Sequence, residues 1–125
     1  MKYWFLLFLT ICIYAFSLPT DAQVVEWQTT TEHDFGDLLQ GQSATFDFRF
    51  KNISDQPIVI QNVRPDCGCT APNWENAPTF PDSTGTLSIT FDATKKGYFN
   101  KKVKVFFSGQ RKGEKLYVEG WVEGE

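Results

Sequence analysis

The sequence predicts an all-β fold, an immunoglobulin-like antiparallel β-sandwich of about seven strands. Three observations predict it. Polar and apolar residues alternate with period two beyond the N-terminal apolar run. Clusters of Gly, Pro, Asp and Ser cut that alternation into short pieces. No piece outside the N-terminal run carries a sustained helical period.

The elements follow in order. Val24 to Thr31 reads as a first strand. In Thr45 to Lys51 every second residue is aromatic, which points Phe46, Phe48 and Phe50 to one buried face. Pro57 to Val63 reads as a strand with Ile58 and Ile60 inward. Leu87, Ile89 and Phe91 alternate with Ser88, Thr90 and Asp92, and Val103, Val105 and Phe107 with Lys102 and Lys104. Leu116, Val118 and Val122 share one face of a last strand, with Tyr117, Glu119 and Trp121 on the other. Turns are expected at Gly36 and Gly41, Ser54 to Pro57, Pro81 to Gly85, Lys96-Gly97, and Gly109 to Gly113. Cys69 to Phe80 shows no strand pattern and reads as a long connection crossing between sheets.

The N-terminus has the form of a secretory leader over residues 1–22. Lys2 supplies the positive charge, Tyr3 to Phe16 the apolar run, and Thr20-Asp21-Ala22 the small-residue site. Cleavage after Ser17 is the alternative. The run falls short of the roughly 20 residues a spanning helix needs, so membrane association is expected only through an uncleaved leader. Export implies a periplasmic or extracellular location, and residues 23–125 have the size of one ordinary domain. Its net charge of −3 offers no electrostatic footprint for nucleic acid.

Of three cysteines, Cys12 lies in the leader, which leaves Cys67 and Cys69 with only Gly68 between them. On an extended strand they would share a face about 6.6 Å apart. A disulfide brings the Cβ atoms to about 3.8 Å, so a bond requires a bend, which Gly68 permits. Closing so short a ring stabilises by roughly 1.5 kcal/mol at most, a poor reason for the spacing. A strained bond is more reducible and suits a redox pair. Two thiolates on one face would suit a soft ion such as Cu(I). Zinc wants four ligands, and His33 is the only other nitrogen or sulfur donor of note after the leader. The third reading is two small, half-buried hydrophobes at a strand end.

Other candidates are weaker. His33-Asp34 looks like an acid–base pair, but neighbours on a strand point to opposite faces, and His33 is expected exposed near a strand end. No nucleophile elbow, zincin motif or phosphate loop is present, so no catalytic residue is expected. Lys95, Lys96, Lys101, Lys102 and Lys104 cluster around one hairpin, as edge-protecting lysines do. Trp74, Tyr98 and Phe99 would close an open end of the sandwich. Asn52-Ile53-Ser54 satisfies a glycosylation sequon.

Taken in order, several segments resemble an exported bacterial family, domain of unknown function 1573. They are His33 to Gly36, Phe46 to Asn52, Ile60 to Arg64, Cys67-Gly68-Cys69-Thr70, Trp74 to Pro81, Ile89 to Asp92, the Lys96 to Lys102 turn and the Gly120 strand. The Cys-Gly-Cys-Thr segment, with Gly68 and Thr70 supporting the cysteines, is its specific part. The resemblance implies an immunoglobulin-like sandwich and export, and assigns no activity. Copper-delivery proteins of the cytochrome oxidase assembly type are similar in carrying Cys-x-Cys on such a fold, an analogy of architecture and two residues.

The resulting expectation is a non-catalytic exported module, without a cofactor, that binds a protein or cell-envelope component through edge strands or loops. The competing expectation is a thiol-dependent periplasmic role, disulfide exchange or Cu(I) binding, through Cys67 and Cys69.

Overall fold

In a computed structural model of the protein, residues 22–124 are described. The leader expectation for residues 1–22 therefore lies outside the described residues save for Ala22. Eight strands run through them: β1 (Val25–Trp27), β2 (Glu32–Leu39), β3 (Ala44–Asn52), β4 (Ile60–Pro65), β5 (Thr70–Trp74), β6 (Thr84–Phe91), β7 (Gly97–Phe107) and β8 (Glu114–Glu123). They form two four-stranded sheets, ordered β1-β3-β6-β5 and β2-β8-β7-β4.

The expected sandwich is present, and its core is the one the alternation marks. Phe48, Phe50, Leu87 and Ile89 of the first sheet meet Val103, Val105, Phe107, Leu116 and Val118 of the second. Each such side chain contributes roughly 1.5–3 kcal/mol on burial. Trp27 stands edge-on to Phe48, Phe50 and Phe107, closing one end. At the other end Phe91 and Phe99 stack face to face, 3.8 Å between centroids. Phe106, which breaks the polar face of β7, is covered by the Arg64 guanidinium and the Lys104 ammonium, 5.2 and 5.3 Å from its centroid.

The sandwich is not wholly antiparallel, because β2 runs parallel to β8. The expected first strand, Val24 to Thr31, ends early, at Trp27, and β2 from Glu32 is a further strand that the alternation does not mark. β1 pairs with β3 and β2 with β8, so the chain changes sheets at Gln28 to Thr31 and neither ladder continues through it. Gly36 is not a turn between elements but a bulge within β2, where the register to β8 shifts between Asp34 and Asp37. Its φ is +70°, and its N–H donates to Asp34 Oδ1 at 2.8 Å. Gly120 of β8 lies against this bulge: a Cβ there would sit 2.8 Å from the Gly36 carbonyl and 2.9 Å from the Phe99 ring.

Two further boundaries differ. Ile58 is buried as expected, but its backbone pairs with Thr79 in an isolated bridge, so β4 begins at Ile60. Thr70 to Trp74 is a strand, not part of a long connection. Its Pro72 lies opposite Ile89 on a strand at the sheet's edge, where a missing N–H breaks no second ladder.

Candidate functional site

The crossing between sheets is the Cys-Gly-Cys-Thr segment itself. β4 leaves the second sheet at Pro65, opposite Val103, and β5 enters the first at Thr70, opposite Phe91. Only four residues separate these strands. The entry side is tied to β7, since Asp66 N–H donates to the Lys102 carbonyl at 3.0 Å and Lys102 N–H to Asp66 Oδ2 at 3.3 Å. The exit side is tied to the end of β6, where Asp92 N–H donates to the Cys69 carbonyl at 3.0 Å. Inside, the Cys67 carbonyl accepts from Thr70 N–H at 3.3 Å and Thr70 Oγ1 at 3.1 Å, closing a four-residue turn. Thr70 is buried, and this is the partner its hydroxyl has.

Bent this way, the two cysteines are joined in a disulfide with 5.2 Å between their Cα atoms, inside the ordinary disulfide range. The extended geometry with two thiols side by side on a strand is not adopted. Both cysteines are half-buried, and Cys69 packs against the smaller core cluster of Phe91, Ala93, Phe99 and Val122. The Cys69 N–H donates to Cys67 Sγ at 3.0 Å. Gly68 is exposed, keeps φ outside the left-handed region, and a Cβ on it would meet nothing within 4 Å. The bend therefore does not itself require glycine.

The remaining candidates separate in space. His33 is half-buried inside β2, not exposed at a strand end. Its ring lies flat on Phe46 and edge-on to Phe35, while Asp34 faces outward and caps the bulge. Nothing couples the two as acid and base. Trp74 packs on the core, Phe99 is buried in it, and Tyr98 stands in solvent. Asn52 of the sequon is fully buried. Its amide donates to the Gln56 and Thr79 carbonyls at 2.8 and 2.9 Å, and its Oδ1 accepts from Ser54 N–H and Oγ. The folded domain thus spends this asparagine on a turn and does not present it for modification. Among the described residues no group of three or more His, Cys, Asp or Glu converges as a metal site.

One feature has no counterpart in the sequence reading. β5 stops at Trp74, opposite Leu87, whereas β6 begins at Thr84. Thr84, Gly85 and Thr86 are thus left without a β5 partner, beside a groove of about 510 Å³. Asn73, Trp74, Phe80, Thr86 and Ser88 line it, with Phe80 61% exposed. Outward serines and threonines on a strand look like ordinary surface, so only the early end of β5 reveals the groove.

This architecture is that of an immunoglobulin-like β-sandwich. A PapD-like domain of human CEP192 (domain 7) superposes with a TM-score of 0.71 at 10% identity, over 87% of this chain and 92% of that one. A protein of unknown function from Porphyromonas gingivalis W83 gives 0.67 at 18% identity over 82% of this chain. This chain spans about half of that protein, 49%. The Pseudomonas aeruginosa CupB2 chaperone gives 0.58 at 11% identity, over 78% and 55%. At these identities the likeness is one of fold. No curated protein matches. The chain belongs to the DUF1573 family of proteins of unknown function, whose model matches residues 25–122.

Proposed function

We propose that the protein is an exported, non-catalytic binding module that takes an extended segment of a protein or cell-envelope partner along an exposed sheet edge. The observation that carries this is the stretch of β6 from Thr84 to Thr86 that has no β5 partner, beside the groove. An added strand gains main-chain hydrogen bonds from such an edge and specificity from the side chains flanking it. Phe80 and Trp74 supply an apolar wall, Asn73 and Ser88 polar partners. Export rests on the Lys2 to Ala22 leader pattern.

A photoreactive amino acid at Thr86 or Phe80 tests the reading in the producing cell. A discrete adduct from both positions is expected, none from Gln42 in the exposed turn between β2 and β3, and loss of the Thr86 adduct on Phe80→Asp. Equal labelling from Gln42 would remove the groove from consideration.

The Cys69 N–H directed at Cys67 Sγ favours a second reading, disulfide exchange. A thiolate of a partner protein attacks Cys69 Sγ, a mixed disulfide forms, and Cys67 leaves as a thiolate that the Cys69 N–H stabilises. A second partner thiolate then attacks the partner's own sulfur in the mixed disulfide, so the partner gains a disulfide and Cys69 leaves reduced. Reduced in this way, the pair would offer two sulfurs to Cu(I). A reduction potential below about −300 mV, typical of inert structural disulfides, would end the exchange reading, and a reduced protein that takes up no Cu(I) against a competing chelator would end the copper one.

A further inference from the structure

The outer face of the second sheet is electrically divided. The registers align its outward residues in rows across the strands. One row is Asp37, Trp121 and Tyr98, and the next is Asp34, Glu119 and Asn100. Glu123 lies just beyond the first. The row after that is mixed, Glu32, Tyr117 and Lys102, and beyond it come Lys115, Lys104 and Arg64, with Phe106 at the far end. One end of the face thus carries four carboxylates around two aromatic rings and the other three cations around one ring, with Glu32 and Lys102 sharing the row between.

These charges are not spent inside the molecule. Among the described residues, Glu119 accepts from Tyr98 Oη at 3.0 Å, Asp34 caps Gly36, and Arg64 and Lys104 lie over Phe106. Tyr98 and Trp121, directly paired across β7 and β8, are 62% and 50% exposed. Adjacent exposed Tyr and Trp are the residue types that dominate interface energetics.

We infer that this face binds the same face of a second copy of the chain, acidic half on basic half. A two-fold interface must be self-complementary. A face with one sign of charge at each end meets that condition about an axis lying in the interface, perpendicular to the line joining the halves. Tyr98 and Trp121 of each copy then come against the cation-covered Phe106 region of the other, where ring faces and cations attract. The nine residues of β7 from Tyr98 to Phe106 span about 27 Å, and four strands about 15–20 Å. The face therefore offers roughly 500 Å² per copy, about 1,000 Å² per dimer, at the lower limit for a specific interface. The dimer is accordingly weak and salt-sensitive.

Sedimentation equilibrium of the purified protein, from about 5 to 200 μM, tests this. At low salt a monomer–dimer equilibrium is expected, weakened at least tenfold in about 0.5 M NaCl, where screening shortens to a few ångströms. Lys102→Glu/Lys104→Glu/Lys115→Glu makes the face predominantly acidic, with Arg64 its remaining cation, and should be monomeric. So should Asp37→Lys/Glu119→Lys/Glu123→Lys, which makes it predominantly basic, with Asp34 and Glu32 its remaining carboxylates. Mixed one to one, the two variants should form a heterodimer, which also shows that both are folded. Tyr98→Ala/Trp121→Ala should weaken the wild-type dimer at least tenfold. A monomer at 200 μM in low salt, a dimer indifferent to the charge variants, or variants that fail to pair when mixed would each overturn the inference.

Discussion

The imidazole of His33 lies flat on the ring of Phe46, 3.7 Å between centroids and 10° between planes. His33 belongs to β2 in one sheet and Phe46 to β3 in the other, so the stack bridges the two layers where the sandwich core thins out. His33→Ala should lower stability by about 1–2 kcal/mol, read as a fall in the urea midpoint at unchanged slope. His33→Phe should recover most of that loss, because an aromatic ring is what the position uses.

Gly120→Ala should be costlier than its size suggests. The added methyl would sit 2.8 Å from the Gly36 carbonyl, a backbone atom held by the bulge, and against the Phe99 ring. A loss of about 1–3 kcal/mol is expected. Gly36→Ala meets no such neighbour but must keep φ at +70°, for about 1–2 kcal/mol. If thermal melting shows Gly120→Ala to be neutral, the close approach of β2 and β8 at the bulge is wrong.

Asn52→Ala should remove about 2–3 kcal/mol, since it strands the Gln56 and Thr79 carbonyls and the Ser54 N–H. Asn52→Asp should do no better, because a carboxylate cannot donate to those two carbonyls. Chemical denaturation of both variants checks the pair. A harmless Asn52→Asp would show that the buried amide is not the donor.

The cysteine pair should contribute little to folding. Cys67→Ser/Cys69→Ser should cost no more than about 1.5 kcal/mol, the limit for so short a ring, and Gly68→Ala should leave stability unchanged or slightly raised. After reduction, Cys67 should alkylate faster than Cys69, since its sulfur accepts the Cys69 N–H while Cys69 packs against apolar side chains. Timed alkylation read by peptide mass spectrometry decides this, and equal rates would remove the reason for treating Cys67 as the departing thiolate.

Sequence reading succeeded where one strand carries its own evidence. The runs Thr45 to Lys51, Leu87 to Asp92 and Lys102 to Phe107 name their inward residues by alternation, and those residues are the core. It failed where a strand's identity depends on its neighbour. Thr70 to Trp74 is short and interrupted by Pro72, and becomes a strand because β6 offers it an edge. Glu32 to Leu39 loses its alternation at the Gly36 bulge, which hid both the strand and the burial of His33. The site was legible as two nearby cysteines, but not as the point where the chain changes sheets.

The amino-acid sequence by itself determined that this is a β-sandwich, which faces of its main strands are buried, and that Cys67 and Cys69 must bend to bond. All of these are properties of neighbouring residues, set by side-chain period and chain geometry. Only the tertiary structure decided that β2 runs parallel to β8, that β5 ends early and leaves the edge of β6 open, and that charges from four strands gather into two opposed halves of one face. Those depend on which strand pairs with which and in what register, and a backbone hydrogen bond carries no record in the sequence of its distant partner.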